Sequence, residues 1–573
     1  QTLKAGVYYS DKWGKKKNTK VGFNYSYYNT MLDAISASES QYFLTDTTYY
    51  TDDFTRDSTR NESHRFNISF ESKLDSLTTI EVRPSFRFDK GYTSNEDISS
   101  FFDSNRDTTI TTNVFNGNDS KGTTLSGFAK LNRKFMKKRR ELEFRYDLSN
   151  DNNETDGFLD SRTSYYSAFL PNDSTLQAKQ NDNSTINHYG SLTYIEPLAK
   201  KWKLELEYLY QYGISSQDKR TFDFDGTDYT LENLGLSNVF DNIRQQHRGG
   251  ASIIFETSKH RLKAGTRYRN INIDNVNLTT DSTINQNFNN ILPRISYTYK
   301  PGMSKRFNVS YETSSSQPSI NDLQPVPDNS DPNRLQEGNP DLVPNYVHRF
   351  EAFFMTFSPM KGSHVYAGTN MSVTQDAFST ETNYDQFGRT VSRTVNVDGN
   401  ANAILFSGAS LPLFGRKMEI NPGLNGSYFR MVNYITGQEN VTNNYAITPE
   451  LNFEFLLLKD SLEIEFRNSF SMNNAVSSLN NSSNPYTITN TGLSFKWQLP
   501  KGFTIGAEGT YTKNDQPGEG FYDTEFFILN AELSKKFLKT RNLQVALIGN
   551  DLLNQNINAR REVNGNIVTD YRT

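Results

Sequence analysis

The chain of 573 residues has no cysteine. That excludes disulfides, cysteine-ligated zinc and thiol catalysis. Apolar residues make up only 35%, and the mean hydropathy is −0.71. No run approaches the ~18 apolar residues of a membrane helix; the best are Phe455–Leu458 and Val545–Ile548. Amphipathic helical windows are missing too, which argues against a soluble α/β enzyme. A net charge of −4 is small for this length and by itself argues neither for nor against a nucleic-acid partner. No nucleophile elbow, phosphate loop or dinucleotide fingerprint is present. The six histidines, His64, His188, His247, His260, His348 and His364, have no metal-ligand spacing and are read as structural or solvent-exposed. Asp223-Phe-Asp225-Gly226-Thr-Asp228 resembles the start of a calcium loop but lacks its terminal glutamate, so an ordinary outer loop is expected there. Neither catalysis nor a cofactor is expected.

Aromatic residues, by contrast, reach 13%, with 32 Tyr and 40 Phe. A disordered chain is poor in them. Their placement is periodic. Ile295, Tyr297 and Tyr299 alternate with Arg294, Ser296 and Thr298. After Pro301-Gly302-Met303-Ser304, Phe307, Val309 and Tyr311 alternate with Arg306, Asn308 and Ser310. Successive strand side chains point to opposite faces, so this is a hairpin with one apolar and one polar face. The scheme recurs. Leu142, Phe144 and Tyr146 alternate with Glu141, Glu143 and Arg145; Trp202, Leu204, Leu206 and Tyr208 with Lys203, Glu205 and Glu207; Leu462, Ile464 and Phe466 with Glu463, Glu465 and Arg467. Eleven short turns, from Gly14–Lys17 to Leu538–Thr540, imply about 22 strands. Between them lie long polar connections at about 29–61, 90–110, 149–182, 216–241, 273–290, 313–344, 473–486 and 552–573.

Hairpins with an apolar face, polar residues opposite, and short turns on one side against long excursions on the other meet the requirements of a transmembrane β-barrel. The fold class expected is all-β: one large antiparallel transmembrane barrel of about 22 or more strands over residues 1–573, with short periplasmic turns and long extracellular loops. Trp13, Trp202 and Trp497 all fall beside short turns, as an interfacial aromatic girdle would. Glu141, Glu143, Arg145, Glu205, Glu207, Glu463, Glu465 and Arg467 are expected to face the lumen, where they would hold a plug or hydrate the interior.

The stretch Tyr311–Pro325 (YETSSSQPSINDLQP), then Asp331-Pro332-Asn333, Gly338-Asn339-Pro340-Asp341-Leu342-Val343-Pro344 and His348-Arg349-Phe350-Glu351, resembles the barrel of the TonB-dependent-receptor-like outer membrane β-barrel family. Tyr9–Lys16 and Asn550–Gln555 support it. The loop motif Gly338, Asn339, Pro340, Asp341, Leu342 and Pro344 reads as architecture, its prolines stiffening a loop end that must enter the next strand in register. The resemblance implies a receptor/transporter of the Gram-negative outer membrane, with ligand captured by extracellular loops and gated by a plug. Its partners would be outer-membrane lipid, TonB and surface lipoproteins, and no nucleic acid. The family's plug and TonB-contacting segment are not visible in these residues, and the end Asp570-Tyr571-Arg572-Thr573 is not the usual aromatic one. A plug in cis and a closing strand are therefore expected outside the sequence, or a partner in the lumen. The alternative is a structural barrel, a scaffolding subunit of a larger outer-membrane complex without transport.

Overall fold

The computed structural model describes residues 2–572, apart from 15–16, 45–46, 167–169, 324–325, 386–388, 480–482, 517–523, 538–542, 557–558 and 565. Part of the first expected turn (Lys15, Lys16), the turn at Leu538-Lys539-Thr540, and Gln324 and Pro325 of the loop motif thus lie outside the described residues.

The first half of the chain forms β1 (Thr2–Trp13), β2 (Thr19–Phe43), β3 (Thr48–Lys73), β4 (Thr78–Phe102), β5 (Thr108–Lys134), β6 (Glu141–Tyr165), β7 (Asp173–Pro197) and β8 (Trp202–Asp223). There follow the two-residue β9 (Leu231–Glu232), then β10 (Asn238–Glu256), β11 (His260–Asn277), β12 (Ser282–Gly302) and β13 (Lys305–Ser314). A turn of helix, α1 (Ile320–Leu323), and β14 (Arg334–Glu337) precede β15 (Tyr346–Phe357) and β16 (His364–Gln375). The hairpin β17 (Ala377–Tyr384) and β18 (Thr390–Val397) leads to β19 (Asn400–Leu413), β20 (Met418–Ile435), β21 (Gln438–Leu457) and β22 (Leu462–Ser477). β23 (Ser483–Gln498), β24 (Phe503–Asp515), β25 (Thr524–Phe537), β26 (Leu543–Gly549), β27 (Arg560–Asn564) and β28 (Ile567–Arg572) complete it.

All 28 strands join one sheet. Setting aside β9, β14, β17, β18, β27 and β28 leaves 22 that pair antiparallel with their neighbours as an up-and-down wall. The turns on one side are short, as the sequence implies. At the β3–β4 turn, Asp75 Oδ1 accepts the N–H groups of Leu77 and Thr78 at 2.6 and 2.8 Å. Those hydrogen bonds, the Leu77 one foremost, hold its carboxyl at a pKa of about 2.

The opposite side corrects the expectation of irregular loops. Most of the polar stretches are paired strand: β2 and β3 stay in register from Thr19↔Ser72 to Phe43↔Thr48, through 29–43 and 48–61. Only ~9–11 residues of a tilted strand fit in the membrane. Beyond it both faces meet water, so the apolar alternation disappears while the backbone still needs its ladder partners. Periodicity therefore stops where the strand does not. The stretch 552–573 also corrects to a hairpin, β27–β28, which pairs with Ala37–Tyr42 of β2, on the edge that β1 occupies lower down at Thr19–Thr30. Among the described residues β1 and β26 each have one ladder, to β2 and β25.

In the membrane half the apolar face points outward. Ile68, Phe144, Leu206 and Leu493 are exposed, while their polar neighbours in sequence lie on the opposite face of the sheet. A histidine–tyrosine belt interrupts the apolar face at one height. His64, His188, His247 and His348 each stand nine residues before the end of their strand, at Lys73, Pro197, Glu256 and Phe357. In each the Nδ1 lies 2.7–2.9 Å from a tyrosine hydroxyl on the preceding wall strand, that of Tyr25, Tyr146, Tyr208 or Tyr311. Nine residues of tilted strand rise about as far as the ~25 Å apolar band is tall, so the belt marks its outer border.

Candidate ligand site in the roofed lumen

The described residues of the excursion 315–345 lie in the barrel as a strap along its inner wall. Its contacts follow the wall strands in reverse order. Arg269 of β11 donates to the Ser315 carbonyl at 2.9 Å, and Arg244 of β10 to Gln317 Oε1 at 2.7 Å. Lys219 Nζ of β8 reaches the Pro327 carbonyl at 3.1 Å, and Asn329 Nδ2 donates to Gln177 of β7 at 2.8 Å. Asn333, 2% exposed, donates to Thr112 of β5 and Thr163 of β6 at 2.7 and 3.3 Å. Arg334 ends the run on Asp53 of β3 at 2.9 Å, with its guanidinium 5.1 Å from the Phe101 ring of β4. By strand alternation every one of these wall residues faces the lumen. Neighbouring strands are ~4.8 Å apart, so the nine steps from β13 back to β3 span at least ~43 Å of wall. Burial works against the Arg334 charge, but Asp53, Tyr42 and Asp331 more than offset it and raise its pKa. Asp331 is pushed up, by burial first and then by Asp97 and Asp53.

The hairpin β17–β18 extends this strap into a roof. β18 pairs parallel with β14, and β17 pairs parallel with β20 at Glu381↔Tyr434 and Thr382↔Ile435. Across the mouth, Tyr384 meets Tyr42 of β2 edge-on at 5.9 Å, and Arg389 donates to the Tyr165 hydroxyl of β6 at 3.2 Å. Two apolar clusters of buried residues among the described ones lie here. One joins Phe240, Leu323 and Leu342, flanked by Ile320 and Phe378; the other joins Ala377, Val397 and Val432. Single wall residues such as Leu209, Ile254 and Leu292 are also buried, but the clustered apolar contacts lie in the roof.

The loop motif docks the returning arm of the strap. Asn339 Nδ2 donates to the Thr394 carbonyl at 3.0 Å, and its Oδ1 accepts the Asp341 N–H at 3.1 Å. Leu342 is 1% exposed in the first cluster, and Pro344 is buried. Val343 and Asn396 exchange two hydrogen bonds, at 2.9 and 3.0 Å. Pro340 is half-buried, and Gly338 lines a recess between strap and wall.

The eight charges expected in the lumen lie nearer the short turns, and most of them pair with other wall residues. Glu141 accepts from Asn132, and Glu143 stands beside it on the same face. Arg145 grips Asp147 at 2.6 Å and covers the Phe128 ring at 4.2 Å. Glu205 holds Lys263 at 2.8 Å and Arg294 at 3.1 Å; Glu207 holds Arg267, and Arg294 at 3.2 Å. Arg467 bridges Glu508 and, at 3.7 Å, Glu465, while Glu463 lines a recess with Lys496 and Glu532. The structure places Trp13, Trp202 and Trp497 at the short-turn end, 52%, 43% and 40% exposed, with Trp202 packed on Phe255 at 4.9 Å. Asp225 caps its own turn, accepting from Thr227, Asp228 and Thr230. Among the described residues no cluster of His, Asp or Glu could hold a metal ion.

Sequence reasoning missed the strap's anchors, Asp53, Thr112, Thr163 and Gln177, because single polar residues in polar strands carry no pattern. Asp331-Pro332-Asn333 was the one available signal.

The family model of the outer membrane protein β-barrel family matches residues 133–573. No curated protein matches the chain in sequence. Among solved structures, FpvA of P. aeruginosa bound to heterologous pyoverdines is 11% identical, with 95% of this chain and 71% of that one covered and a TM-score of 0.43. The FrpB iron transporter from Neisseria meningitidis is 9% identical over 94% of this chain and 81% of that one, TM-score 0.43. The copper transporter OprC is 11% identical over 100% and 79%, TM-score 0.47.

Proposed function

The chain belongs to the outer membrane protein β-barrel family, and on that premise we propose that it forms the wall and roof of a TonB-dependent type receptor/transporter. It resides in the Gram-negative outer membrane. The observation that carries the proposal is the strap. An open diffusion channel needs a clear lumen, whereas here the described residues of 315–345 lie across the inner wall, tied to eight wall strands by hydrogen bonds, an ion pair and a cation–π contact. A roof of that kind suits selective capture: a ligand must find complementary groups beneath it before passage. The lower lumen, lined by the paired charges of β6, β8 and β22, would seat a plug, and TonB would supply the energy to move it.

The test is uptake and conductance on the full-length protein from outer membranes. Cells that overproduce it should gain uptake of a solute from spent medium, and deleting TonB should abolish that gain. The purified protein should stay silent in a planar bilayer. TonB-independent uptake, or isolation only as a stoichiometric subunit of a complex that moves no solute, overturns the reading; the second result would install the scaffold.

A further inference from the structure

Between the strap and the lumen-facing side of β5–β8 lies a polar recess of about 300 Å³, at the lower end of the range for small-ligand pockets. Two lysines on neighbouring strands, Lys179 of β7 and Lys219 of β8, line it with Asp328 of the strap, Asn181, Gln217 and Gly338. All lie on the outer extensions of the strands, beyond the membrane band. Lys219 Nζ has a partner in the Pro327 carbonyl. The Lys179 ammonium is different: its Nζ is buried and has no hydrogen-bond partner among the described residues. Burial pulls its pKa down to about 8, with Asp328 opposing and Lys219 adding to the fall. Burial likewise works against the Asp328 carboxylate, but Ser330 and both lysines hold its pKa below the usual range.

A buried, unpaired ammonium is among the costliest groups in a protein. Two ammonium groups against one carboxylate leave one net positive charge, which one monoanionic oxyanion would balance. Around it, the side-chain amides of Asn181 and Gln217, themselves joined at 3.0 Å, offer donors and acceptors to neutral polar groups. We propose that this recess is a binding subsite for a carboxylate-bearing ligand with neighbouring hydroxyl or amide groups, its carboxylate held between Lys179 and Lys219. Because Asp328 and Gly338 belong to the strap, the bound ligand would also tie the roof to the wall.

This assignment rests on the receptor reading and names the ligand chemistry of its site. The full-length protein in detergent is titrated calorimetrically with acetate, lactate and glucuronate, with inorganic phosphate and glucose as comparators. In parallel, the Lys179 signal is followed by NMR after ¹³C-methylation of the lysines. At least one carboxylate should bind and raise the Lys179 pKa, and glucose should do neither. Lys179→Met should weaken binding at least tenfold and Lys179→Arg should restore most of it, with both variants keeping the heat-resistant gel mobility of a folded barrel. The proposal is overturned if no carboxylate binds or moves the Lys179 signal, if phosphate alone does so, or if Lys179→Met binds as the wild type does. Binding without TonB-linked uptake would sink the transport reading alone; uptake that ignores Lys179→Met would sink the subsite alone.

Discussion

Replacing Asp53 by Asn tests whether the strap is latched to the far wall. In the native protein the Arg334 guanidinium sits 2.9 Å from Asp53 and 3.6 Å from Asp331, with side-chain exposures of 29%, 14% and 25%. Removing one partner of a buried ion pair costs ~3–5 kcal/mol, because the other charge stays desolvated. Arg334 is partly exposed and keeps Asp331, so the lower end applies, ~3 kcal/mol. That corresponds to a ~150-fold larger undocked population. The chain has no cysteine, so one engineered thiol reports without background. Asn333→Cys, at a position 2% exposed in the docked strap, should react slowly with a maleimide on intact cells. When docking is fast relative to labelling, the rate follows the undocked population. Adding Asp53→Asn should then accelerate labelling by roughly two orders of magnitude. Asn329→Cys is a second reporter, in case the first thiol itself loosens the strap. Acceleration below about threefold at both sites would refute the latch.

Four further outcomes follow from the same geometry. Carboxylate binding at the Lys179 recess should be level at about pH 6–7, where the ligand is ionised and the ammonium charged, and weaken about tenfold per unit above pH 8, since the ammonium, with a pKa of about 8, is lost there; calorimetry that shows no fall in alkali would contradict this. In the ligand-free protein Lys179→Met should raise the melting temperature, because it deletes a buried charge while Asp328 keeps Lys219 and Ser330; a fall would mean that the attraction between Lys179 and Asp328 outweighs the burial cost. Leu342→Ala should cost the roof ~2–5 kcal/mol by opening a cavity in the Phe240–Leu323 cluster, and should be read as faster Asn333→Cys labelling with an unchanged barrel melting temperature. Changing Tyr25, Tyr146, Tyr208 and Tyr311 together to Phe should destabilise the barrel in lipid vesicles by ~0.5–1.5 kcal/mol per lost hydrogen bond; equal stability would show the histidine–tyrosine belt to be decorative.

The sequence revealed the membrane half of this protein almost completely and the outer half hardly at all. Within lipid, a residue such as Phe144 has one permitted side and Glu143 the other, so physics writes the period into the sequence. This is why the 22 wall strands could be counted from turns. Above the membrane the pressure on sidedness lifts. Asp33, Asn61 and Ser94 are strand residues in ladders as regular as those below, but nothing in their identities distinguishes ladder from loop.

The same loss of constraint explains where the ligand chemistry sits. A wall residue in the membrane half must satisfy lipid on one face or a neighbour on the other, and its charges end up spent on each other, as Glu205 and Glu207 are on Lys263, Arg267 and Arg294. A strap that lies in water before it docks has no such obligation. It can bring one carboxylate, Asp328, to two wall lysines and leave an ammonium without a hydrogen-bond partner among the described residues, provided its own docking is secured elsewhere. Arg334, Asn333 and Leu342 secure it at three separate points, each remote in sequence from its partner on the wall. The imbalance at Lys179 is therefore sustained by contacts outside the recess, and a ligand that relieves it acts in the direction those contacts already favour. Such a ligand should hold the roof shut, and its departure should be the step that lets the strap move.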